Sequence, residues 1–166
     1  MSDLREYISQ VKKINELKTI KTKVSTKYEI AGITAKVDQS HAVLFENIKE
    51  SDFRLISNLV GTRKRFALAV GGTENNIHQK VISAIKNAKT PKIVPTGKFM
   101  ENKSKNIYSM PIVTHFEKES GPFITSSVAY AKNPETGKQN LSFHRMMPID
   151  KTHLSIRMVE GRHLHR

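Results

Sequence analysis

The run Gly121-Pro-Phe-Ile-Thr-Ser-Ser-Val-Ala-Tyr-Ala-Lys-Asn-Pro-Glu-Thr-Gly-Lys-Gln-Asn-Leu-Ser-Phe-His-Arg145, with the closing Arg157-Met-Val-Glu-Gly-Arg-His-Leu-His-Arg166, decides how this chain is read. Asn133-Pro134-Glu135-Thr136-Gly137 is a turn: proline presets φ near the start and glycine accepts a positive φ at the close. The flanks, Phe123 to Ala131 and Lys138 to Met147, are rich in β-branched and aromatic residues, which predicts two antiparallel strands. Pro148 to Thr152 reads as a second turn, followed by a strand over Leu154 to Val159. Period-two alternation puts Asn140, Ser142 and His144 on one face and Arg145 on the other. For Asn140 and Arg145 to serve one ligand, the strand must bulge or the ligand must wrap its end. Arginines, histidines and an amide at fixed offsets suit an anion-plus-metal site better than a plain surface.

Working back toward the N-terminus, residues 2–15 carry Leu4, Ile8, Val11 and Ile14 at helical spacing, with Ser2 or Asp3 as cap. Lys18 to Ser25 alternates as a half-exposed strand. Thr26-Lys-Tyr-Glu29 fits a capping box that opens a helix with Ile30, Ile33 and Val37 inward. Ala42 to Phe45 is a short buried strand, and Phe53 to Leu59 a second. Thr62 caps a short helix that stops at Gly71-Gly72. Glu74 to Ala88 is a helix whose Ile77, Val81, Ala84, Ile85 and Ala88 form one apolar face. Alternating helices and strands over 1–90 predict an N-terminal α/β layer domain. Pro91 to Asn106 breaks the pattern, so a linker or crossover is placed at 91–108, with a strand-and-turn domain over 109–166.

Composition bounds the function. The chain has 166 residues, is 37% hydrophobic and 26% charged, and contains no cysteine. That is globular composition, excludes disulfide and thiolate chemistry, and fits a cytoplasmic setting. No apolar run approaches the length of a membrane span, and the first residues lack the layout of a signal peptide. The net charge of +13 favours a phosphate-rich partner, whether nucleotide cofactor or nucleic acid. Against that, Lys12, Lys13, Lys18, Lys21, Lys23 and Lys27 are spread as an ordinary solvated surface.

Five segments in order add a resemblance: Leu4-Arg5-Glu6-Tyr7-Ile8, Glu29-Ile30-Ala31-Gly32-Ile33, Val43-Leu44-Phe45-Glu46-Asn47, Asn58-Leu59-Val60-Gly61-Thr62-Arg63, and Asn140-Leu-Ser-Phe-His-Arg145 continued by Arg157-Met-Val and Arg162-His163. Together they resemble the UbiD family of decarboxylases, which use prenylated flavin mononucleotide. The resemblance implies an α+β protein in which the N-terminal layer domain is followed by the first strands of a flavin-reductase-like split β-barrel, incomplete in this chain. It places Phe143, His144, Arg145, Arg157, Met158, Val159, Arg162 and His163 at the cofactor. It makes Asn140 and His163 ligands of Mn2+ or Mg2+, admits K+, and gives Arg145 the substrate carboxylate.

On composition alone, Asn140 is a turn-closing residue and the His163/His165 pair a surface feature; the resemblance raises His163 and leaves the role of His165 open. The family's third metal ligand, a glutamate, and its catalytic acid come later than Arg166, so the resemblance implies an N-terminal fragment or one part of a split enzyme. The expected activity is decarboxylation of an aromatic or α,β-unsaturated carboxylic acid such as a 4-hydroxybenzoate-type acid, with this chain inactive alone. Expected partners are the small carboxylic acid, a flavin prenyltransferase as cofactor source, and a second copy or a chain supplying the missing half. The competing readings are a non-catalytic flavin-binding or assembly subunit, and a basic nucleic-acid-binding domain.

Overall fold

The computed structural model describes residues 3–162, 164 and 165. The Asp3 carboxylate accepts the Glu6 N–H at 2.9 Å and starts α1, Leu4–Lys13. Its buried side chains are Tyr7 and Val11, whereas Leu4 is exposed. The apolar stripe is therefore rotated from the expected one, because Tyr7 buries its ring while its hydroxyl donates to the carbonyls of Leu59 and Arg65.

Three strands follow: β1 (Leu17–Ile20), β2 (Ala42–Phe45) and β3 (Leu55–Ser57), in the order β1-β2-β3. β1 and β2 run parallel, which requires a crossover, and α2 (Glu29–Lys36) lies within it. β2 and β3 are antiparallel. As the central strand, β2 buries Ala42, Val43 and Phe45. Val43 and Phe45 join Val24, Ile30, Ile48 and Val113 in one core, against which Ile33 and Val37 also pack.

The expected capping box at Thr26 does not form. Tyr28 occupies the cap of α2 at φ 68° without a side-chain cap bond. Glu29 reaches back one residue further, accepting the Ser25 N–H at 2.7 Å, while the Thr26 N–H goes to Glu50 at 3.0 Å. The strand predicted over Lys18 to Ser25 ends at Ile20 for the same reason: past it, the backbone is engaged by side chains and by the single bridge Val24↔Ile48.

Thr62 caps α3 (Arg63–Ala69) by accepting the Arg65 N–H at 3.3 Å, and the helix closes at Gly71 with φ 67°. α3 carries the fully buried Arg65. Its Nη1 donates to Glu16 Oε2 at 3.0 Å and to the Ser40 carbonyl at 2.8 Å, and its Nη2 to the Asn58 carbonyl at 3.2 Å. Among the described residues its Nε has no partner. Glu16 also pairs with Lys64 at 2.7 Å.

α4 (Ile77–Lys86) is where the pattern misleads. Only Ile77 is buried, and Ile85 is 72% exposed, so the apolar face faces outward instead of the core. Residues 91–110 hold only two short 3-10 turns, Lys98–Glu101 and Ile107–Ser109. Thr114 then returns the chain to the first half: its N–H donates to the Thr26 carbonyl and its carbonyl accepts the Tyr28 N–H, both at 3.1 Å.

Beyond that seam, Val113 bridges Phe123 and Ile124 bridges Met146. Two hairpins complete the chain: β4 (Val128–Lys132) with β5 (Gln139–Phe143), and β6 (Met146–Pro148) with β7 (Leu154–Ile156). The predicted strands are shorter than expected, and no barrel closes among the described residues.

Burial works to raise the Glu16 carboxyl, but the hydrogen bonds and charges of Lys64 and Arg65 outweigh it and hold its pKa below the usual 4.5. A lowered folded-state pKa contributes stability above the unfolded value and loses it as pH falls through the folded one. Arg65→Ala, which removes the Glu16 carboxylate's buried partner and strands the Ser40 and Asn58 carbonyls, is expected to cost about 3–5 kcal/mol. Urea unfolding at neutral pH checks this, and the variant's loss of stability below pH 4.5 should be shallower than that of the parent.

Candidate functional site

The site is built on the β4–β5 hairpin. Asn133 Oδ1 accepts the N–H groups of Glu135 at 2.9 Å and Thr136 at 2.8 Å, and Gly137 takes φ 69°, so the turn forms as its residues demand. This fixes the register Val128↔Phe143, Tyr130↔Leu141 and Ala131↔Asn140. Asn140 and Ser142 are half-buried, while Gln139, Leu141 and Phe143 are exposed. Phe143 is 82% exposed and shares an outer apolar face with Val128, Tyr130 and Leu141.

His144 continues the Asn140–Ser142 face, with its Nε2 2.9 Å from Ser142 Oγ and its N–H on the Ser127 carbonyl. The strand then breaks: β5 ends at Phe143 and β6 begins at Met146. Arg145 lies in that break and leaves the hairpin. Its guanidinium carbon is 4.3 Å from the centroid of the Phe123 ring, and its Nη1 is 3.9 Å from Glu119 Oε1. The structure thus answers the question of faces with a two-residue interruption.

Asn140 lines an open concavity of about 430 Å³ together with Ala131, Lys132, Lys138 and Leu164. Its side chain has no hydrogen-bond partner among the described residues. Leu164 brings the end of the chain beside Asn140, but His163 itself lies outside the described residues. Arg157, Met158, Val159 and Arg162 follow β7 as exposed residues, with the Arg162 N–H on the Val159 carbonyl at 3.2 Å and Gly161 at φ 76°. His165 is exposed, its N–H bonded to the Arg162 carbonyl. Among the described residues no three His, Cys, Asp or Glu side chains converge on a metal position.

The structure therefore gathers three groupings: Asn140 with the concavity, His144 with Ser142, and Arg145 with Phe123 and Glu119. Glu119 was not singled out from sequence. It stands in a charged turn, Glu117-Lys118-Glu119-Ser120, where nothing distinguishes it from its neighbours.

Two family models match successive parts of the chain. The 3-octaprenyl-4-hydroxybenzoate carboxy-lyase N-terminal domain matches residues 8–85, and the Rift-related domain of the same carboxy-lyase matches residues 88–166. The chain belongs to the UbiD family. A relative, anhydromevalonate phosphate decarboxylase of Methanothermobacter thermautotrophicus, is 31% identical over 98% of this chain and 37% of its own length. The UbiD-class enzyme HmfF from Pelotomaculum thermopropionicum, solved in complex with FMN, superposes with a TM-score of 0.91 at 28% identity, covering 98% of this chain and 38% of that one. An evolved dimeric form of the same enzyme, in complex with prFMN, gives 0.90 at 27% identity. This UbiD-family chain thus spans a little over a third of the length of these relatives. No helix among the described residues is long and apolar enough to cross a membrane.

The turn that feeds β7 toward the site carries its own titration. The Thr152 backbone N–H, then the His153 ring, hold the Asp150 carboxyl at about 2, below its usual 3.8. The turn is therefore at full strength above 3.8 and loosens as pH falls through about 2. Carboxyl-carbon NMR shifts of Asp150 should show this low midpoint, and Thr152→Ala, which leaves the N–H in place, should keep most of it.

Proposed function

We propose that this chain forms the N-terminal part of a UbiD-type carboxy-lyase, dependent on prenylated FMN and a divalent metal and acting on an aromatic or α,β-unsaturated carboxylic acid. The observation that carries the reading is the close superposition on a flavin-bound UbiD-class enzyme across 98% of the chain. Residues 1–90 would form the layer domain, 91–108 the crossover and 109–166 the opening strands of a split barrel. A flavin prenyltransferase would supply the cofactor, and a further copy or a partner chain the remaining catalytic groups, in a cytoplasmic setting.

The residues present fit a flavin phosphate. Arg157 and Arg162 are exposed guanidinium groups, and Arg is suited to bidentate phosphate binding. Phe143, Met158 and Val159 expose apolar surface for a ring system. A divalent metal is served only in part, since Asn140 offers one neutral oxygen and hard cations take several such ligands. His163 and later carboxylates would complete the set.

When bound, prenylated FMN supplies the electron sink that loss of carbon dioxide from an unsaturated carbon requires. Arg145 binds and orients the substrate carboxylate. Arg157 and Arg162 would hold the phosphate end of the cofactor, and Asn140 would be a ligand of the metal beside it. Proton delivery to carbon would fall to a carboxylic acid that the remaining catalytic part supplies.

The purified chain should bind FMN, with Arg157→Ala weakening binding about tenfold, as expected for a charge-assisted hydrogen bond, in a flavin-fluorescence titration. With prenylated FMN, Mn2+ and candidate aryl or acrylic acids, it should release no carbon dioxide. Turnover by this chain alone, or flavin affinity indifferent to Arg157, would count against the assignment.

A further inference from the structure

Two side chains, those of Glu119 and Phe123, converge on the Arg145 guanidinium. The turn over residues 115–119 folds back on itself: the Glu119 N–H donates to the Phe116 carbonyl at 3.1 Å, and Glu119 Oε2 accepts the His115 N–H at 2.9 Å. That backbone bond engages one carboxylate oxygen and leaves Oε1 toward Arg145 at 3.9 Å. Phe123 is set beneath the guanidinium by its own N–H, which donates to the Val113 carbonyl at 3.1 Å. Val113 is buried in the core with Val43 and Phe45, so the aromatic platform is tied to that core.

The burial of the partners is unequal. The Glu119 side chain is 11% exposed and that of Arg145 66%. At 3.9 Å the two do not share a hydrogen bond, since charge-assisted N–H···O bonds run to about 2.9 Å. Among the described residues the Arg145 side chain makes no hydrogen bond at all. Cation–π contact and a nearby negative charge therefore orient the guanidinium without occupying its five N–H donors. An arginine held in that way is preorganised for a planar anion and has given up none of its donors.

We propose that Glu119 is a positioning residue for Arg145, acting with Phe123 to hold the guanidinium ready for an incoming carboxylate. This rests on the reading of Arg145 as the carboxylate receptor. In this role Glu119 acts through Arg145.

The test is side-chain NMR on the full chain, with the Arg145 Hε and Hδ resonances assigned through Arg145→Lys. In the parent these protons should be shifted upfield by the Phe123 ring, and Phe123→Leu should abolish the shift. Glu119→Gln should move them at least half-way to their unstructured values, while Glu119→Asp should retain most of the shift. The Val113 and Phe123 amide resonances report whether each variant keeps its fold. Titration with benzoate should then give about threefold weaker binding in Glu119→Gln, the scale of a solvent-accessible ion pair, with Glu119→Asp nearer the parent. Unmoved Arg145 protons in a folded Glu119→Gln protein would overturn the proposal. A benzoate response that survives Arg145→Lys would instead overturn the receptor reading, and the two failures are distinct because the proton shifts judge Glu119 without any ligand.

Discussion

A valine and a threonine register the second half of the chain on the first. Val113 places its side chain in the core that Val43, Phe45, Ile30 and Ile48 form. Thr114 exchanges backbone hydrogen bonds with Thr26 and Tyr28. The cost is visible at Tyr28, a non-glycine residue at φ 68°, a conformation worth on the order of 1–3 kcal/mol of strain. Its N–H donates to Thr114, so the strained residue is held by the contact it makes possible. Phe123, Arg145 and both hairpins take their positions from this seam through successive single bridges.

Local chemistry was legible in the sequence wherever it was self-contained. Thr62 caps its helix, Ala42 to Phe45 is the buried central strand, and Asn133 to Gly137 turns the hairpin, because each depends on residues within a few positions. The face shared by Asn140, Ser142 and His144 followed from the period of a strand. What escaped was set by distance along the chain. Arg65 meets Glu16 across 49 residues, and no local pattern announces a buried arginine on a short helix. Glu119 and Arg145 meet only because the strand breaks at His144. The capping box misread had a different cause: Glu29 satisfies a donor one residue earlier than the motif assumes, since Glu50 already occupies Thr26.

The helix α4 shows the limit of periodicity itself. Its apolar face is real, but periodicity says that a face exists and not what covers it. The same holds for the outer face of the β4–β5 hairpin. Both belong to a chain that spans a little over a third of its relatives' length. The +13 charge is similarly ambiguous in sequence and clearer in structure. The early lysines Lys12, Lys13, Lys18, Lys21, Lys23 and Lys27 are exposed, as are Arg157 and Arg162 after β7.

The bridges that carry the hairpins are isolated, one residue pair at a time, whereas the first half is held by a three-stranded sheet and a buried ion pair. Resistance to opening is therefore graded along the molecule, with the β4–β5 ribbon at the compliant end. Anything gripping that ribbon stabilises chiefly the portion it touches. Occupancy would accordingly register as amide protection gained beyond residue 120 against an almost constant background before it, a built-in internal reference for binding.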